Sequence, residues 1–172
     1  QCGMGRTGTM MAYEQYGIQP DVVTLAKALG CGVPVGAFAA KEEAAAALVP
    51  GDHGSTYGGN PFAAAAICKV FELFEKQQVL VNVRGVSAYL AEKLDALAEK
   101  YSCIKERRGI GLMQGLEFDR PVKGIIGKAM DAGLITFSAG ERIIRFVPPL
   151  VIGKEHVDEM IGILETVIAG EM

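Results

Sequence analysis

The sequence predicts a mixed fold of helices and strands, either α/β or α+β, on three observations. The β-branched run at 21–25 has the composition of a strand. Asn60, a strong helix cap, and Pro61, suited to the first helical position, open a helical pattern. This pattern runs through Phe74, is interrupted near Gln77 and Gln78, and resumes to about Lys100. Beyond Tyr101, strand-like and helix-like segments alternate, as in folds that pack helices against a sheet.

The elements expected before the long helical pattern are short and separated by turn residues. In chain order they are a glycine-rich loop at 3–8, a short helix at 9–16, a buried strand at 21–25, a turn at 31–34, a strand at 35–40 and an alanine-rich helix at 41–48. We end the last of these helices before Pro50 and Gly51, because both residues interrupt helices.

The later elements alternate between helical and strand periodicity. Leu90, Leu94 and Leu97 are spaced to share one helix face, which we expect to be buried. The remaining elements are predicted as strands at 104–107, 113–118 and 143–147 and as helices at 122–132 and 155–169. We place a domain boundary inside or beside the long helical stretch, which divides the chain into 1–81 and 82–172.

Composition argues against several classes of protein. Half of the 172 residues are hydrophobic and 22% are charged, so we expect the chain to fold and bury a core. The net charge of −3, without clustered Lys and Arg, argues against a nucleic-acid partner or an anionic membrane surface. No apolar run is long enough to span a bilayer, and no signal peptide is recognised, so the cytoplasm is the expected location.

No metal site is expected in this chain. The four cysteines form no Cys-x-x-Cys pair and only two histidines accompany them, so separate reduced thiols are the simplest interpretation. The chain begins at Gln1 rather than at a methionine, and we expect it to be a piece of a longer protein.

One lysine, Lys27, follows the strand at 21–25 and is flanked by small and apolar residues. Because removing an ammonium from water is costly, such a lysine has two interpretations. Its stem lies on apolar surface with the amine in water, or its amine is held partly dry and becomes a nucleophile. The local pattern favours the first interpretation, and the rest of the chain favours the second.

The loop at 3–8 matches the Gly-x-Gly-x-x-Gly fingerprint of dinucleotide-binding proteins. That fingerprint requires a strand before the loop and an acidic residue at the end of the next strand. Only two residues precede this loop, and Asp21 begins its strand rather than ending it. A tight glycine turn is therefore the better interpretation, and nucleotide binding is the weaker alternative.

Hydroxyl-bearing residues lie among glycines just ahead of the long helix. Ser55 and Thr56 precede the helix that Asn60 and Pro61 open, and helix N-termini attract phosphate and carboxylate groups. Ordinary loop and capping chemistry explains the same residues equally well. The stretch therefore indicates either an anion site or a simple helix cap.

Arg145 lies between bulky apolar residues on a predicted strand. Alternation places its side chain on the same face as Ile143 and Val147. An arginine in such a setting usually has a fixed anionic partner, and its planar fork suits a carboxylate. The partner is either a ligand or an internal acid, for which Glu141 and Glu117 are candidates.

An amine nucleophile, a phosphate site and a carboxylate-binding arginine are the groups that a pyridoxal phosphate enzyme acting on amino acids needs. In order and spacing, five blocks of this chain resemble the class III pyridoxal-phosphate-dependent aminotransferases. The blocks are 1–8, 20–30, 32–37, 53–61 and 145–150. The resemblance implies the aspartate aminotransferase fold (fold type I), with 1–81 completing the large domain and 82–172 forming the small carboxyl-terminal α/β domain.

The resemblance also implies roles for individual residues. Lys27 resembles the lysine that binds the cofactor covalently and then carries the proton between substrate and cofactor. Gln1 resembles the glutamine that contacts the phenolic oxygen of the cofactor. Thr56, with Ser55 beside it, resembles the phosphate ligand offered across a homodimer interface to the neighbouring subunit. Arg145 resembles the arginine that binds a substrate carboxylate.

The implied reaction moves the side-chain amino group of N-acetylornithine to 2-oxoglutarate. Ornithine, succinylornithine and 4-aminobutyrate are alternative donors, and a non-catalytic packing or dimerisation fragment is the alternative of another class. In this family the aspartate that protonates the pyridine nitrogen lies three residues ahead of the position of Gln1. We therefore expect these 172 residues to be inactive by themselves.

Overall fold

The computed structural model describes residues 2–171, which divide into two compact units. The first unit comprises residues up to Gly5 together with Thr9–Leu80, and the second comprises Arg6–Gly8 and the chain from Val81 onward. The assignment of 1–81 and 82–172 to a large and a small domain of one enzyme stays a prediction.

The first unit is built from short elements and one long helix. These are the 3₁₀ helices Ala12–Tyr16 and Lys27–Leu29, the strands β1 (Val22–Leu25) and β2 (Ala37–Ala40), and the helices α1 (Glu42–Ala45) and α2 (Pro61–Lys76). Strands β1 and β2 pair antiparallel, with Val22 opposite Ala40 and Leu25 opposite Ala37. The predicted helices at 9–16 and 41–48 are therefore each present only in part.

The core of the first unit lies between the amino-terminal loop, the turn after β1 and helix α2. Met4, Leu29 and Val70 are its buried members. Partly buried side chains complete it: Met11, Leu25, Ala28, Val35, Ile67 and Phe74.

The prediction of a buried strand at 21–25 is correct for the strand and wrong for its burial. Along β1 exposed and half-buried residues alternate, and Val22 is 51% exposed. A β-branched run has the same composition whether or not a second layer covers its outer face. Within the described residues, β1 has one partner strand, and Val22 and Thr24 on that face are exposed.

The second unit packs helices on a four-stranded antiparallel sheet. Its elements are α3 (Val79–Lys100, which begins in the first unit), β3 (Ile104–Ile110), β4 (Met113–Phe118), α4 (Lys123–Asp131), β5 (Phe137–Ser138), β6 (Ile143–Phe146) and α5 (Lys154–Ala169). The strand order is β3-β4-β6-β5. Every predicted helix and strand of this part is present, whereas the two-residue β5 was not predicted because it is too short to show a periodicity.

The predicted apolar face of α3 is confirmed, since Leu90, Leu94 and Leu97 are at most 3% exposed. Side chains from the sheet and from α5 share this core, among them Leu116, Phe118, Ile144, Leu164 and Ile168. No helix among residues 2–171 has both the length and the apolar character required to cross a membrane.

Leu94 offers a direct test of this core. Replacing it with Ala removes buried methyl groups and leaves a cavity, so Leu94→Ala is expected to lower the free energy of unfolding by about 3 kcal/mol. Glu92→Ala, an exposed change on the same helix, is the matched control and is expected to alter it by less than about 0.5 kcal/mol. Urea denaturation followed by circular dichroism measures both. Equal effects of the two substitutions would contradict the burial of this face.

Candidate functional site

Lys27 occupies an uncommon backbone conformation directly after β1. It opens the 3₁₀ helix Lys27–Leu29, and its φ of +50° lies in the left-handed region. Its carbonyl accepts hydrogen bonds from the amides of Gly30 (3.2 Å) and Cys31 (3.1 Å), which hold the turn closed. The side chain of Lys27 is exposed, so the described residues do not form the partly dry setting that the sequence suggested. Strained residues of this kind concentrate at functional sites.

The turn that follows Lys27 leaves no room for a side chain at Gly30. A Cβ there would meet the carbonyl of Val33 and would lie 2.6 Å from a methyl of Val35. The amide of Val33 closes the turn on the carbonyl of Gly30 at 3.0 Å. Gly30 therefore allows the close packing that fixes the backbone around Lys27.

A cavity of about 310 Å³ lies in the first unit between the amino-terminal loop, the 3₁₀ helix Ala12–Tyr16 and β1. Met4, Met11 and Tyr13 line one part of it, and the strand lines the other as far as Ala26. The cavity thus reaches the residue that precedes Lys27.

Ser55 and Thr56 lie in an exposed irregular segment ahead of α2. The expected helix cap is confirmed, because the side chain of Asn60 accepts a hydrogen bond from the amide of Ala63 at 2.9 Å. Its Nδ2 also donates to the carbonyl of Tyr57 at 2.9 Å, which ties the segment to the helix. Capping explains Asn60 but not the two exposed hydroxyls, so an anion site at Ser55 and Thr56 stays a prediction.

Arg145 lies on β6, an inner strand of the sheet, and its strand periodicity is confirmed. Ile144 and Phe146 are buried on one face, and Arg145 lies on the other. Its cross-strand neighbours are Gly115 on β4 and Phe137 on β5. A Cβ at Gly115 would lie 3.1 Å from a methyl of Ile143, so the Ile143 side chain packs against this glycine.

The Nε atom of Arg145 is buried and has no hydrogen-bond partner among the described residues. The internal ion pair considered for Arg145 is not formed in residues 2–171, since Glu117 pairs with Arg108 instead and Glu141 makes no ion pair there. A buried donor without an acceptor is costly, so this nitrogen is available for an anionic ligand.

Arg145 contributes to a cavity of about 270 Å³ whose walls are mostly apolar. Thr136 also lines it, and its hydroxyl is the other buried side-chain polar atom without a partner among the described residues. Sequence reasoning missed Thr136, because one threonine beside Ile135 and Phe137 gives no signal that its hydroxyl is buried and unpaired.

Gln1, the other predicted cofactor contact, lies outside the described residues. Lys27, Ser55 and Thr56 belong to the first unit, and Arg145 belongs to the second. In the part of the chain that the structure covers, no group of three or more potential metal ligands comes together.

The nucleotide-binding alternative gains no support from the first unit. Residues 3–8 form turns, with Gly5 and Gly8 at φ of +87° and +91°. Asp21, the acid that this alternative needs, lies ahead of β1 and binds Lys41 at 2.9 Å. The hydrogen bond from Lys41 holds the pKa of Asp21 below its ordinary value, so the carboxylate is already engaged.

Comparison with known proteins places the chain in one family. Residues 1–168 match the family described as Aminotransferase class-III. The acetylornithine aminotransferase of Clostridium acetobutylicum is 49% identical over 166 residues, covering 96% of this chain and 43% of that protein. That of Gloeobacter violaceus is 51% identical over 171 residues, covering 98% of this chain and 42% of that protein.

Solved structures agree with this placement. Ornithine δ-aminotransferase of Plasmodium falciparum matches with a TM-score of 0.92 and 36% identity, covering 99% of this chain and 44% of that one. Acetylornithine aminotransferase of Elizabethkingia anophelis matches with a TM-score of 0.92 and 30% identity, covering 99% and 46%. The chain therefore spans less than half the length of these relatives, and the predicted fold type I is confirmed. By sequence and by structure, the chain belongs to the class III aminotransferase family.

Proposed function

We propose that this chain supplies part of the active site of an N-acetylornithine aminotransferase, which moves the side-chain amino group of its substrate to 2-oxoglutarate. The observation that carries the proposal is the 49–51% identity to acetylornithine aminotransferases over nearly the whole chain. The proposed enzyme is a cytoplasmic homodimer of arginine biosynthesis.

The described residues fit the cofactor of the family, pyridoxal phosphate. They offer an exposed primary amine at Lys27, hydroxyls ahead of a helix N-terminus at Ser55 and Thr56, and an unpaired guanidinium nitrogen at Arg145. When bound, the cofactor withdraws electrons from the substrate carbon that carries the amine, which eases removal of its proton.

Lys27 is the proposed covalent ligand of the cofactor and the base and acid that moves the proton. The turn through Gly30 and Cys31 fixes the backbone of Lys27, while its long side chain is exposed and has several rotatable bonds. A fixed backbone that carries a long side chain suits a residue that holds the cofactor in one step and transfers a proton in the next. Gln1 is proposed to contact the phenolic oxygen of the cofactor.

Ser55 and Thr56 are the proposed phosphate ligands, offered to the cofactor of the neighbouring subunit. Both are exposed, and the 16-residue helix α2 begins five residues after Thr56. The positive end of a helix of that length and two hydroxyl donors favour a phosphate dianion. Both hydroxyls are exposed, as a group that binds the cofactor phosphate of the neighbouring subunit must be.

Arg145 is the proposed ligand of a substrate carboxylate. Its Nε is buried and has no hydrogen-bond partner among residues 2–171, and Arg145 lines a cavity of about 270 Å³. A carboxylate oxygen would accept from this nitrogen in a charge-assisted hydrogen bond. 2-Oxoglutarate carries two carboxylates, and an arginine on an inner strand gives one of them a fixed position.

Ornithine is the second candidate donor, because the matching structures include an ornithine δ-aminotransferase. The solved structures do not separate the two donors, since the acetylornithine aminotransferase among them is 30% identical and the ornithine aminotransferase 36%. The 49–51% identity to the acetylornithine aminotransferases of Clostridium acetobutylicum and Gloeobacter violaceus favours N-acetylornithine. Succinylornithine and 4-aminobutyrate are the further donors to exclude.

A comparison of amino donors tests the proposed reaction. With 2-oxoglutarate as acceptor, the complete enzyme is expected to give a higher kcat/KM for N-acetylornithine than for ornithine, succinylornithine or 4-aminobutyrate. Glutamate formation is the measurement, and Lys27→Ala is the matched inactive control. A clear preference for 4-aminobutyrate would assign the enzyme to another activity of the same family.

Reduction with borohydride in the presence of pyridoxal phosphate tests the role of Lys27. The complete enzyme is expected to carry one cofactor on Lys27, located by peptide mass spectrometry, because Lys27 is the proposed covalent ligand of the aldehyde. Lys41, an exposed lysine paired with Asp21, is the internal control and should stay unmodified. Label spread over several lysines would contradict a selective site.

Substitution of Arg145 tests the carboxylate site. Arg145→Gln keeps a polar side chain but removes the charge, so the KM for 2-oxoglutarate is expected to rise roughly 10- to 100-fold, the loss of one charged hydrogen bond. Cofactor absorbance is expected to stay as in the parent enzyme. An unchanged KM would show that another residue binds the carboxylate.

A further inference from the structure

Arg6, in the glycine-rich loop, is hydrogen-bonded to two separate parts of the second unit. Its Nη1 donates to the carbonyl of Leu112 at 3.1 Å and to the carbonyl of Pro148. The carbonyl of Arg6 accepts from the amide of Leu112 at 2.8 Å. Residues Arg6–Gly8 cluster with this unit, although their neighbours on both sides in the chain cluster with the first.

The two carbonyls that accept from Arg6 lie at two ends of strands in the sheet. Leu112 is fully buried in the turn between β3 and β4. Pro148 lies three residues after Arg145, where the chain leaves β6. Arg6 therefore links the β3–β4 turn to the segment that follows the proposed carboxylate ligand.

Small residues next to the contact allow the loop to approach the β3–β4 turn closely. Gly111 has a φ of +59°, and a Cβ there would lie 2.6 Å from the Cα of Thr7. Thr7 is itself buried. The other end of the segment is anchored separately, because Arg84 Nη1 donates to the carbonyl of Gly8 at 3.0 Å.

The chain after β6 needs such an anchor because of its own composition. Pro148 and Pro149 have no amide hydrogen, so β6 cannot be extended by ladder hydrogen bonds at these residues. Its four residues end at Phe146. The carbonyl of Pro148 is left as an acceptor, and Arg6 satisfies it.

Arg145 depends on its backbone for its position. Among residues 2–171 its Nε has no hydrogen-bond partner and no acid forms an ion pair with it, and its neighbour on β4 is Gly115. The guanidinium is therefore not oriented by a side-chain hydrogen bond or ion pair from these residues. The hydrogen bond from Arg6 that holds the end of β6 therefore also helps to fix the backbone of Arg145.

We propose that Arg6 is a positioning residue for Arg145, acting by holding the Pro148 carbonyl and so keeping β6 aligned to receive a substrate carboxylate. The inference rests on the proposed function, in which Arg145 binds that carboxylate. Misplacement of a binding group by as little as 1 Å has large effects on rate and affinity.

The test measures binding of glutarate, a dicarboxylate without the reacting carbonyl, to the holoenzyme. Titration of the cofactor absorbance gives its dissociation constant, and the KM for 2-oxoglutarate is measured in parallel. Arg6→Met is expected to weaken glutarate about tenfold while the cofactor stays bound. Arg6→Lys retains the charge but lacks the planar fork, so its effect is expected in the same direction and smaller.

Arg84→Met is the matched control, because it releases the same segment at Gly8 without touching Pro148. Its glutarate affinity is expected to match that of the parent enzyme. In an Arg145→Met background, Arg6→Met is expected to have no further effect on glutarate, since a residue acting through Arg145 has nothing left to position.

Two results would overturn the inference. One is a fall in melting temperature for Arg6→Met with glutarate affinity unchanged, which indicates a purely structural role. The other is an equal loss of affinity with and without Arg145. If Arg6→Met does not fold, the same comparisons are made with Arg6→Lys. Glutarate affinity that is unchanged in Arg145→Met alone is a distinct outcome and refutes the carboxylate site itself.

Discussion

The buried Nε of Arg145, which has no acceptor among residues 2–171, is the most costly feature of the second unit. Leaving a buried donor without an acceptor costs about 1–3 kcal/mol, and the Nε of Arg145 has no acceptor among residues 2–171. β6 cannot rotate to expose it, because Ile144 and Phe146 commit the opposite face to the core. A carboxylate that accepts from this nitrogen removes the penalty. The burial that destabilises the free unit therefore favours the liganded one.

In the first unit the main constraint on the site lies in the backbone conformation of Lys27 rather than in a side chain. A non-glycine residue at φ of +50° is strained, and the amides of Gly30 and Cys31 offset the strain by closing on the carbonyl of Lys27. Gly30 is required there because any side chain would collide with Val33. The turn thus fixes the backbone of Lys27, while its side chain is exposed. The proposed covalent role of Lys27 needs both properties in one residue.

Sequence reasoning succeeded where one periodicity dominates. Leu90, Leu94 and Leu97 share one helix face over two turns, and period-two geometry fixes the face of Arg145 on its strand, so both were placed correctly. The burial of Val22 was predicted wrongly, because strand composition does not reveal what covers a face. Strand β5 at Phe137 is too short to have a period, and the unpaired hydroxyl of Thr136 results from tertiary packing alone.

The glycine-rich loop shows why a motif needs its structural context. Its spacing matches a phosphate-binding fingerprint, yet the glycines serve a different geometry. Gly5 and Gly8 adopt positive φ on either side of Arg6 and Thr7, and Gly111 lacks the side chain that would block their approach. Glycine in both places lets backbone contact backbone, so that Arg6 reaches two carbonyls. A requirement for close approach selects glycine as strongly as a phosphate does, and only the groups that meet there distinguish the two.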